Sequence, residues 1–142
     1  MTKIEALFAR YEQGANTFDP ALMSSLYTDQ FMGGDPNGVA CARNDGAWRD
    51  AFVQRKAFFQ QLGFRRARVL QVEPTPLDAH YTMAKVHWQM DFEKQPGHLQ
   101  QFRFAITYFL FDAGDGPRVA FWISHEDEHK LMRDAGLIGD GV

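Results

Sequence analysis

The chain has 142 residues, a net charge of −3 and 14% aromatic side chains, with 13 Phe among them. That length suits one domain, residues 1–142, with a sizeable core, and so many rings favour a deep apolar core or pocket. The mild charge excludes nothing but gives no footing for nucleic acid. The lone cysteine, Cys41, excludes an internal disulfide, and neither a leader nor an apolar run of about 18 residues points to a membrane, so a soluble, cytoplasmic protein is expected.

Thr2 and Glu5 form a capping box, in which each side chain satisfies a free amide of the first turn. Ile4, Leu7, Phe8, Tyr11 and Ala15 then follow helical spacing, and Gly14 marks the expected stop. Asp19-Pro20 opens a short second helix carrying Leu22, Met23, Leu26 and Tyr27. Residues 28–32 read as a short strand and residues 33–44 as an irregular loop. Asp45 caps a third helix over 46–62, which presents Trp48, Ala51, Phe52, Phe58, Phe59 and Leu62 and ends at Gly63.

Four strands follow, over 64–73, 79–93, 102–112 and 118–126. The second alternates sharply. Ala84, Val86, Trp88, Met90 and Phe92 fall on one face; Lys85, His87, Gln89 and Asp91 fall on the other. The breaks at 74–78, 94–97 and 113–117 carry Pro, Gly and Asp, and are too short for parallel crossovers. An antiparallel meander is therefore expected, then a helical turn or two at 127–134 and a tail at 136–142. The fold class is α+β: three N-terminal helices packed on a curved antiparallel sheet that encloses an apolar pocket. The basic cluster Arg65, Arg66 and Arg68 reads as a solvated strand edge.

This element order resembles the nuclear transport factor 2-like superfamily, whose cystatin-like cone wraps a curved sheet around a long helix. Parts are similar to its ketosteroid isomerase branch. Ala9-Arg10-Tyr11 falls on a stretch whose tyrosine donates to an oxyanion. Asp35-Pro36-Asn37-Gly38 falls on a turn whose aspartate is the proton-shuttling base. Val86, Trp88 and Met90 fall on pocket-lining strand positions, Trp122 on a pocket tryptophan, and Thr107 nearest to a second oxyanion donor that is an aspartate in that branch. Trp122-Ile123-Ser124-His125 resembles the strand endings of SnoaL-like polyketide cyclases.

The resemblance implies Asp35 as base and Tyr11 as electrophile on a small hydrophobic carbonyl compound, with no cofactor and no metal. This division of labour is the one for which ketosteroid isomerase is a worked case. Phe31, Trp48 and Phe52 are expected to line the pocket with Val86, Trp88, Met90, Thr107 and Trp122. The plain alternative for Asp35 is a turn, since Asp, Pro and Gly suit its first, second and fourth positions. His125 is a third catalytic candidate, as a histidine at the strand end that hydrogen-bonds within the pocket. His125-Glu126-Asp127-Glu128-His129 spells a zinc-protease motif, but its first histidine ends a strand and no third ligand follows. A non-catalytic binding or dimerisation module, or an oxygenase small subunit, are the alternatives. A homodimer through the outer sheet face is expected, because Trp88, Phe104 and Tyr108 are not all expected to point inward.

Overall fold

The computed structural model describes residues 1–139. Lys3–Thr17 forms α1 and Pro20–Ser25 forms α2. Tyr27–Asp35 (β1) and Gly38–Arg43 (β2) follow, then Gly46–Gln61 (α3). The second half is Phe64–Pro76 (β3), Tyr81–Gln95 (β4), His98–Asp112 (β5), Pro117–Ser124 (β6) and Glu128–Asp134 (α4). The six strands make one sheet in the order β2-β1-β6-β5-β4-β3. The four-strand meander is antiparallel throughout, and the one parallel pairing is β1 with β6.

Side-chain alternation decides what the sheet buries. Ala84, Val86, Trp88, Met90 and Phe92 are all buried on the inner face. Register sets Phe104 opposite Trp88 and Tyr108 opposite Ala84, so both rings share that face and are buried as well. Contrary to expectation, Trp88, Phe104 and Tyr108 therefore all point inward. The outer face instead carries Phe109, Phe111, Phe121 and Ile123, all partly exposed. His87 also lies outside, with its Nε2 2.9 Å from Glu73 Oε2.

Helix α1 is fixed to the edge strand through backbone groups that would otherwise lack partners. Asn16 Nδ2 donates to the Ala67 carbonyl and its Oδ1 accepts the Ala67 amide, each at 2.8 Å. Glu12 accepts the Val69 amide at 2.6 Å. The helix runs past Gly14, which does not stop it. Phe18 caps it in the left-handed region (φ 57), its amide donating to the Gly14 carbonyl. Gly14 serves close packing instead, because a Cβ there would overlap the Met23 side chain.

Two further expectations change. Residues 33–44 form the end of β1 and all of β2, joined by a tight turn at Pro36-Asn37. The expected tail is partly core: Leu137 and Ile138 are buried, and Lys94 Nζ donates to the Leu137 carbonyl at 2.9 Å. The rest of that tail, 140–142, lies outside the described residues. Among the described residues, no helix is long and apolar enough to cross a membrane.

Candidate functional site

A cavity of about 690 Å³ opens between the inner sheet face, α1, α3 and the β1–β2 hairpin. One wall is a run of rings. Tyr27, Phe31, Trp48 and Phe52 meet tilted or edge-on, with successive centroids 4.7 to 4.9 Å apart. Helical spacing aims Trp48, Phe52, Arg55 and Phe59 along one stripe of α3. The Trp122 indole packs against Gly33, where any Cβ would overlap its ring.

The floor is polar. The Tyr11 and Tyr27 hydroxyls share a hydrogen bond. Trp88 Nε1 donates to the Tyr108 hydroxyl at 3.1 Å, which leaves Tyr108 its own proton to turn on Tyr11. Burial raises the pKa of Tyr11, while hydrogen bonds from Tyr27 and Tyr108 and the charge of Arg55 pull it back. Burial pushes Tyr27 and Tyr108 well above the usual phenol range. Either of the Tyr11 and Tyr27 hydroxyls can be the donor; where Tyr27 and Tyr108 both donate to Tyr11, its own O–H is left for a guest.

Two charged groups border this floor. Arg55 sits with its guanidinium 4.3 Å from the Phe59 ring centroid. Its charge acts on Tyr11 and Tyr27. Glu128, the first residue of α4, acts on Tyr11 and Tyr108. Among the described residues, neither Arg55 nor Glu128 makes an ion pair or a hydrogen bond.

The residues expected from sequence divide clearly. Tyr11, Phe31, Trp48, Phe52, Trp88, Met90 and Trp122 line the cavity. Asp35 stands exposed at the mouth, and its carboxylate accepts the Asn37 amide at 2.8 Å, as the turn alternative requires. Val86 is fully buried on the inner face but does not border the cavity. Thr107 lies on the outer face, across from Lys85 and Ile123, with its Oγ1 2.7 Å from His125 Nε2. Neither Thr107 nor His125 reaches the cavity, because odd positions of β5 point away from it. His129 stacks on Phe58 instead of joining His125. No group of three metal-ligating side chains occurs among the described residues.

Sequence reasoning missed Tyr27, Tyr108, Arg55 and Glu128. The signal for Arg55 was its place three residues after Phe52 and four before Phe59. That for Tyr108 was its parity with Phe104 on one strand.

A family model described as NTF2-like protein (DUF6841) matches residues 2–127. Among curated proteins none matches. An NTF2-like protein with a cystatin-like fold from Novosphingobium aromaticivorans superposes with a TM-score of 0.72 at 16% identity, covering 96% of this chain and 87% of that one. A Nostoc punctiforme protein of unknown function with a cystatin-like fold gives 0.68 at 12% identity, covering 88% and 89%. The beta subunit of benzoate 1,2-dioxygenase from Burkholderia mallei gives 0.69 at 13% identity, covering 90% and 91%. At such identities the likeness is one of fold. The fold is thus the cystatin-like α+β cone. By its sequence the chain belongs to the NTF2-like family DUF6841.

Proposed function

We propose that the cavity binds a small apolar carbonyl compound, with its oxygen on the Tyr11 hydroxyl and its apolar body among Phe31, Trp48 and Trp122. The observation that carries this is the support of Tyr11 by Tyr27 and Tyr108 at the floor of an otherwise apolar cavity. A buried donor left without an acceptor is costly. A carbonyl oxygen would satisfy it, while the rings take up the apolar remainder.

The enzymatic form of this reading is cofactor-free isomerase, cyclase or dehydratase chemistry, as in SnoaL-like and ketosteroid isomerase-like proteins. A hydrogen bond from Tyr11 would polarise the carbonyl and ease loss of a proton from the neighbouring carbon. Glu128 lines the cavity near the tyrosine cluster, whereas Asp35 is exposed and held in its turn, so the base's part goes to Glu128. A binding module or an oxygenase small subunit would use the same cavity without that transfer. Homodimer formation through Phe109, Phe121 and their outer-face neighbours completes the proposal.

The test uses benzylacetone and its hydrocarbon match, isopentylbenzene. Trp48, Trp88 and Trp122 all line the cavity, so intrinsic fluorescence reads occupancy. Both compounds are expected to quench it, the ketone binding about ten-fold tighter, the scale of one hydrogen bond to a buried donor. Equal affinities, or no quenching by either, would contradict the reading.

A further inference from the structure

Arg55 is the one cation among the described residues that line the cavity. Its position is unusual for a charge. It sits in the apolar stripe of α3, between Phe52 and Phe59, where a surface helix would carry another hydrophobic side chain. A guanidinium stays charged at any working pH; Arg55 is half-buried, and a guest that shut water away from it would have to meet its fork of N–H groups with an anion or acceptors. Here the face of Phe59 holds one side of it, and no carboxylate of the described chain pairs with it. Glu128 borders the same cavity yet leaves it unpaired.

We propose that the guest is an apolar monocarboxylate, whose acid group pairs with the Arg55 guanidinium beside the Tyr11 hydroxyl. This rests on the binding reading above and narrows its ligand class. A planar carboxylate matches the guanidinium fork with two parallel hydrogen bonds, and the Tyr11 O–H supplies a third donor. Contact with the Phe59 face holds the guanidinium beside the cavity before the guest arrives, so less freedom is lost on binding. Glu128 sets the other limit. A second acid group on the guest would meet its negative charge, so the end turned toward α4 is neutral.

The test compares hydrocinnamate with hydrocinnamamide and benzylacetone, which share the same phenylethyl body. In the parent protein the acid is expected to bind at least ten-fold tighter than the amide, on the scale of a charge-assisted pair. Arg55→Met keeps the stem over Phe59 and removes the charge. It is expected to abolish that preference, with acid affinity falling at least ten-fold further than benzylacetone affinity, and Arg55→Lys is expected to retain part of it. An acid that binds no tighter than the amide in the parent overturns the inference. So does an Arg55→Met protein that weakens acid and ketone alike, since that marks a packing role. If benzylacetone binds and hydrocinnamate does not, only this inference falls. If neither binds, the cavity reading falls with it.

Discussion

The hydroxyls of Tyr11 and Tyr27 meet at the floor of the cavity, one carried by a helix and the other by the first residue of β1. The Tyr108 ring on β5 lies 5.3 Å from that of Tyr11, and the Trp88 ring on β4 lies 5.6 Å from it. Four elements are therefore tied at one polar point inside an aromatic core. That point is where a guest's oxygen would dock, and it is also where pH should act on the fold.

Burial raises the pKa of all three phenols above the ordinary value of 10.0. Below that value they are neutral in both folded and unfolded chains. Above it the unfolded chain loses its phenol protons first, so stability falls as pH rises through 10 and on toward the folded values. The expected slope is roughly 1.4 kcal/mol per pH unit for each phenol. Urea midpoints measured from about pH 8 to 11 check this; a flat profile above pH 10 would show that the three are not held neutral.

Gly33→Ala should damage both stability and the cavity. The added Cβ would overlap the Trp122 indole, and β1 is held on both sides by β2 and β6, so its backbone has little room to yield. A loss of about 1–3 kcal/mol is expected, the usual range for overpacking. Near-ultraviolet circular dichroism should change with it, because the displaced ring is a tryptophan. An unchanged spectrum and midpoint would mean that Trp122 does not rest there.

The sequence showed the sheet more readily than the site. The period-2 pattern of β4 was unmistakable, and parity along that one strand orders much of the inner face. The β1–β2 hairpin was hidden because Gly33, Gly34, Ala40 and Ala42 carry almost no strand preference. Their pairing is decided by neighbours, not by local chemistry. Tyr27 looked like the last ring of α2 but begins β1. Thr107 was placed in the pocket by a loose family register, and His125 by its position at the end of a strand. One residue of slip sends a strand side chain to the opposite face, and here it sends Thr107 outside. Glu128 lay inside a histidine-flanked string weighed only as a metal motif and set aside, so its carboxylate was not considered for the pocket.

Two carboxylates bear on the enzymatic form of the proposal, and they should separate cleanly. Asp35→Asn keeps a turn-forming side chain at an exposed mouth position, so turnover and stability should stay close to the parent. Glu128→Gln should lower turnover of a β,γ-unsaturated ketone by about 100-fold, the scale of a positioned proton-transfer group. Benzylacetone affinity should change little in either variant. A large loss in Asp35→Asn with none in Glu128→Gln would reverse the assignment.

The outer sheet face offers Phe109 and Phe121 side by side, their centroids 5.6 Å apart. Paired copies would cover them, and sedimentation at about tens of micromolar should give twice the chain mass. Phe109→Glu places a charge in that patch and should shift the protein to monomer without loss of ligand binding. A parent protein that sediments as a monomer would remove the dimer from the proposal.

Under the proposed function, Tyr11 donates its hydrogen bond to a guest's carbonyl. Infrared difference spectroscopy of bound benzylacetone, labelled with carbon-13 at the carbonyl, addresses it without relying on affinity. In the parent protein the carbonyl stretch should move to lower frequency than in an apolar solvent, because a donated hydrogen bond weakens the double bond. In Tyr11→Phe that displacement should vanish while the ketone remains bound. A stretch at the same frequency in both proteins would contradict the claim.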